Sequence, residues 1–215
     1  MNLKNTIHWI LGLVISTLGI GLCTKGGLGL SMIAACPYAL HHYMVTHFSW
    51  FSQGTAEYVF EALLLGLLCL ILRRFKFKWL LSFVTAVIAG FLIDGWLLVL
   101  GGNGVYSSMV VRVIAFVCGM CVTSLGIAFF FRTTLPLEVY ELCVTELSAK
   151  FNISTARTKW FFDIFMLVTA VLIGLIFEHA LVGVGIATVI MTLINSSIIS
   201  FCGKSIDLVE KKWSK

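Results

Sequence analysis

Leu18-Gly19-Ile20 and the residues that follow it return later in the chain as Leu125-Gly126-Ile127. In this register Lys25 falls on Arg132, Leu28 on Leu135, Leu30 on Leu137, Cys36 on Cys143 and Leu40 on Leu147. After a slip of five residues the match resumes, with Ser52 on Ser154, Glu57 on Lys159, Tyr58 on Trp160, Phe60 on Phe162 and Glu61 on Asp163. Leu and Gly recur by chance in apolar chains. A basic position matched by a basic one, and an acidic by an acidic, carry more weight, and they indicate two copies of one unit.

The 215 residues are 60% hydrophobic and 12% charged, with a mean hydropathy of +1.03. That is more apolar surface than a soluble domain of this length can bury, so the chain reads as an integral membrane protein. Six apolar runs reach the length needed to cross a hydrocarbon core of about 30 Å: residues 7–23, 55–72, 79–100, 109–131, 160–177 and 181–201. Two further helical stretches, 31–44 and 137–150, are too short to cross. The second is amphipathic, with Tyr140, Cys143, Val144 and Leu147 on one face and Glu138, Glu141, Thr145 and Ser148 on the other.

Counting only the six long runs as crossings places Lys4, the block Arg73 to Lys78, the group Arg132, Lys150, Arg157 and Lys159, and the terminal lysines on one side, with Lys25 and Arg112 on the other. The positive-inside rule makes the first side, and both termini, cytoplasmic. Three crossings per copy invert the second copy relative to the first, as in many secondary transporters. The expected fold is therefore all-α and polytopic, with six transmembrane helices, two short non-crossing helices and two inverted-topology repeats. Residues 1–103 form the first repeat, 104–202 the second, and 203–215 a basic cytoplasmic tail in which Trp213 among lysines lies on anionic lipid. The run after Lys4 could pass for a signal peptide, but Leu22 is too large to precede a cleavage site, so it is read as retained.

Each short helix follows a break, Lys25-Gly26-Gly27-Leu28-Gly29 before Ser31 and Arg132-Thr133-Thr134-Leu135-Pro136 before Glu138. A cation beside a helix N-terminus suits an anionic group. The alternative is that Lys25 and Arg132 reach for lipid headgroups. Ionisable groups within membrane helices are costly and point to function. Here they are Glu61, Asp94 and Asp163, with Asn195 near the end of the last helix. The competing reading pairs these acids with Arg112, Lys25 or Arg132 as structural ion pairs.

The seven cysteines are odd in number and sit mostly in apolar runs, as reduced packing residues do. Cys118-Gly119-Met120-Cys121 spells a redox motif but lies deep in such a run, away from the access that thiol exchange requires. His41, His42 and His47 lack the partners that would complete a metal site, and Gly183-Val184-Gly185 follows no strand that could make it a dinucleotide loop. The residues predict no metal, no cofactor and no enzymatic centre.

Leu135-Pro136-Leu137-Glu138, Ala156-Arg157-Thr158 ahead of an acidic helix, and Gly183-Val184-Gly185-Ile186-Ala187-Thr188 resemble the YitT/YczE group of small bacterial membrane proteins. Where those relatives carry a Pro-Trp-Asp type of element, this chain has Ser31-Met32-Ile33-Ala34. The Asn195-Ser196-Ser197 stretch and the spacing from Arg157 to Asp163 also depart. The resemblance implies a bacterial plasma-membrane location and a helical fold, and supplies no substrate.

These features together predict a small secondary transporter of a small polar or anionic organic solute, its site framed by Lys25, Ser31, Glu61, Asp94, Arg132, Glu138, Asp163 and Asn195. A channel is a close variant. The alternative class is a non-transporting accessory, regulatory or substrate-binding subunit that docks a partner through Glu138, Glu141 and Glu146. The expected partners are a small-molecule or ion substrate and the lipid bilayer, not nucleic acid, with a homo-oligomer or a membrane partner left open.

Overall fold

The computed structural model describes residues 3–102 and 104–213; Lys215 lies outside them, as do the side chains of Lys212 and Trp213 on which the tail reading rests. The described chain is all-helical: α1 (Leu3–Gly26), α2 (Met32–His47), α3 (Gln53–Leu72), α4 (Trp79–Val99), α5 (Met109–Phe130), α6 (Val139–Phe151), α7 (Thr155–Ile173), a π-turn (Gly174–Glu178) and α8 (Ile186–Trp213). Helices α1, α3, α4 and α5 are long and apolar enough to span, as is Arg157–Glu178, and α8 makes a sixth span if Ile186–Asn195 and Ser197–Lys211 count as one. Helices α2 and α6 have 16 and 13 residues. At about 1.5 Å per residue they fall short of the roughly 30 Å a crossing requires.

The helix boundaries follow local chemistry. Ser31 and Ser52 cap α2 and α3 by accepting hydrogen bonds from the backbone of Ala34 and Thr55 at 3.3 and 3.0 Å. Helices α3 and α6 end at Arg73 and Asn152, both left-handed. Ser31 and Glu138 are N-caps of the two short helices, and Ser52 and Ser154 of the helices after them, so helix starts fall at matched positions on both sides of the five-residue slip.

The chain divides into two compact units. One holds residues 1–30, 95–135 and 186–215; the other holds 31–94 and 136–185. Each takes helices from both halves of the sequence.

In the first unit α1 and α5 run antiparallel along a seam of small residues. A Cβ at Gly12 would sit 2.8 Å from the Phe130 ring, and one at Gly119 would sit 2.7 Å from Cys23 Sγ. Gly19 abuts Thr123, and Gly126 abuts Ser16. Such contacts let helix backbones approach in lipid, where close packing replaces the hydrophobic drive. In the register that lays Leu18 on Leu125, each contact is the image of another: Gly12 with Phe130 maps to Gly119 with Cys23, and Gly19 with Thr123 to Gly126 with Ser16.

In the second unit α2 packs on α3 and α7, and α6 packs on the same two helices. The matched cysteines make matched bonds, Cys36 Sγ donating to Met166 O at 2.9 Å and Cys143 Sγ to Leu64 O at 3.9 Å. Met166 and Leu64 correspond after the slip. All seven cysteines are free thiols; Cys118 and Cys121 face outward from α5 with Val110, Val113 and Val117.

Candidate functional site

Gln53, Glu57 and Glu61 lie at i, i+4 and i+8 on the buried face of α3, with Glu57 5% and Glu61 2% exposed. Helix α6 packs on this face and presents its N-terminus. A helix N-terminus leaves backbone N–H groups without internal partners. Its N-cap Glu138 makes no side-chain capping bond; Val139 N donates instead to Glu61 Oε2 at 2.9 Å. An acid from one helix thus satisfies the positive end of another. Glu61 Oε1 and Glu141 Oε2 are buried and have no hydrogen-bond partner among the described residues. Glu57, Glu138 and Glu141 all lie within electrostatic range of Glu61. Buried carboxylates gathered in this way, with oxygens left without hydrogen-bond partners, form a place that suits a proton or a cation.

The α7 side of the cluster begins at Tyr140, 1% exposed, whose hydroxyl donates to Asp163 Oδ1. Lys159 Nζ lies 3.1 Å from the Tyr140 hydroxyl, 3.4 Å from Asp163 Oδ1 and 4.8 Å from the Tyr140 ring centre. Phe162 packs on the same tyrosine, ring centres 5.1 Å apart. Lys159 and Asp163 both act electrostatically on Glu141, which links this group to the acids. No set of three or more His, Cys, Asp or Glu among the described residues could hold a metal ion.

The remaining sequence candidates make other contacts. Asp94 accepts from Ser52 Oγ at 2.5 Å and from Gly54 N at 2.8 Å, which fixes the start of α3. Ser31 caps α2. In the first unit Lys25, 5% exposed, donates to Gly102 O at 3.0 Å and lies over the Tyr106 ring. Arg132 donates to Ala128 O at 2.7 Å, to Gly203 O, and to Asp207 Oδ1 at 2.7 and 2.9 Å. Asn195 Oδ1 accepts from Ser124 Oγ at 2.6 Å. Of the eight candidates, Glu61 and Glu138 lie together, and Asp163 joins them through Tyr140 and Glu141.

Reading residues one at a time overlooked Glu57, Tyr140, Glu141 and Lys159. The spacing Glu57–Glu61 on α3 and Glu138–Glu141 on α6 was the available signal, since each pair shares a helix face. Of the expected apolar stripe of α6, Tyr140, Cys143 and Val144 are buried and Leu147 is half-buried; Val139 is buried beside them, and Glu141 of the opposite face has a buried oxygen as well.

A family model matches residues 3–204, and the chain belongs to that family, described as a family of unknown function (DUF6198). The chain is also 28% identical over 147 residues to "Uncharacterized protein YyaS" of Bacillus subtilis (strain 168), a match covering 67% of this chain and 70% of that protein. These matches place the chain among uncharacterised bacterial relatives, and neither names the YitT/YczE group that the motifs resemble. No solved structure matches.

Proposed function

We propose, for this member of a family of unknown function, that the chain is a small secondary transporter whose buried acids exchange protons for a small polar solute of cationic character. The observation that carries this reading is Glu61: 2% exposed, one oxygen on Val139 N, the other without a partner, amid three more carboxylates. A carboxylate buried among other acids in a membrane helix, with one oxygen left unpartnered, has the placement that a proton-coupling group in a carrier needs. The matched contacts of α1 with α5, and of Cys36 and Cys143, support the inverted-repeat reading that goes with such carriers. The distribution of lysine and arginine supports cytoplasmic termini in a bacterial plasma membrane.

The sequence expectation is a small polar or anionic organic solute, and the placement of the charges favours a polar solute that carries a cation. Lys25 and Arg132, the cations on which an anionic cargo depended, are engaged by backbone carbonyls and Asp207 in the first unit, while the acids gather in the second. The accessory-subunit reading loses part of its surface too, because Glu146 is engaged by Arg74 and Lys76 and Glu141 has a buried oxygen.

The test is uptake by the purified protein in liposomes under an imposed pH gradient, across a panel of polar amines and amino alcohols. The gradient should drive accumulation of at least one, and Glu61→Gln should slow it by at least about a hundredfold, the scale of a lost proton-transfer group. A protein inert to the whole panel under both gradient directions, while a membrane partner copurifies, would overturn the reading in favour of an accessory subunit.

A further inference from the structure

Where α3, α6 and α7 meet, the acids Glu57, Glu138 and Glu141 act on Glu61, and Glu141 is acted on by Asp163 and the cation Lys159. Its amino group has three neighbours of distinct kinds: a carboxylate at 3.4 Å, a phenol oxygen at 3.1 Å and the ring itself at 4.8 Å from its centre. A primary ammonium is a compact charge with three donors. It is bound well by an acceptor pair combined with an aromatic ring within about 6 Å. Tyr140 is fixed for this task, buried to 1% exposure and packed on Phe162. Lys159 itself is not fixed, with 47% of its side chain exposed on a four-carbon stem. In the repeat register it occupies the position of Glu57, so one copy has a carboxylate where the other has an amine.

We infer that Tyr140 and Asp163 form an ammonium subsite that Lys159 fills as a tethered stand-in, and that the cargo is a primary amine whose ammonium group displaces it. The inference rests on the transporter reading and assigns its cargo class. Displacement swings Lys159 outward from the subsite and puts one ammonium group in the place of another. A tethered competitor acts at millimolar effective concentration, so a free amine must bind weakly while the lysine is present.

The experiment uses the full chain in detergent and reads thermal unfolding by tryptophan fluorescence against propylammonium chloride, with tetramethylammonium chloride at equal ionic strength as control. Lys159→Gln should tighten apparent propylammonium binding by at least about tenfold over the wild type, and adding Asp163→Asn should abolish the gain. Tetramethylammonium, which has no N–H donor, should show no such gain. Lys159→Met serves if the glutamine variant does not fold. No gain in either lysine variant, or a gain that survives Asp163→Asn, overturns the inference. The two readings fail separately: Glu61→Gln blocking gradient-driven uptake without any amine gain removes only the subsite, and an amine gain in a protein that moves nothing removes only the transporter.

Discussion

Glu146 shows how one residue of α6 is held away from the buried acids. Its carboxylate accepts from Lys76 Nζ at 2.7 Å, Trp79 Nε1 at 3.1 Å and Arg74 at 3.2 Å. Burial pushes its pKa up, but the Lys76 and Trp79 hydrogen bonds and the charges of Lys76 and Arg74 outweigh it and hold the group below the usual carboxylate range. A depressed folded value means the stabilisation is fully present above the unfolded value, about 4.3 for glutamate, and is lost as pH falls through the lower folded value. Glu146→Gln should therefore cost roughly 1 kcal/mol at neutral pH, given partners that are about half exposed. In thermal melts the wild-type advantage should vanish on acidification. The matched cations teach a related lesson. Lys25 and Arg132 each donate to the carbonyl of a glycine, Gly102 and Gly203.

At the level of elements, the α1–α5 seam makes a sharper demand than composition does. A side chain at Gly19 or Gly126 would collide with backbone of the facing helix, at Thr123 and Ser16 respectively. Gly19→Val and Gly126→Val should each lower stability by roughly 1–3 kcal/mol or more, seen as lost monodispersity in detergent. Gly66, with nothing near its Cβ position, should accept Ala and gain up to about 1 kcal/mol from helix propensity. The helices were readable because apolar length and amphipathic spacing are local signals. The acid cluster was only half readable: Glu61 and Asp163 stand out by recurrence and Glu138 by opening a short helix, whereas Glu57 and Glu141 matter only because α6 packs on α3. Periodicity along one helix does not report which neighbour that helix meets.

For the whole molecule, the repeat boundary near residue 103 does not coincide with the compact units, each of which assembles helices from both halves. Neither half expressed alone should accumulate, since each lacks partners for its buried faces. Co-expressed fragments 1–103 and 104–215 should copurify. Recovery of either half as a stable, monodisperse protein would show that the halves fold independently.

The α1–α5 seam closes on its own image, the isologous arrangement that a two-fold homodimer has between subunits. A chain carrying one copy could make the same seam with a second chain set upside down in the membrane, and joining two such genes would turn an intermolecular contact into an internal one. Such a seam does not require identical residues on its two sides: Cys23 and Phe130, matched in position, differ in size and yet each presses against a glycine of the opposite helix.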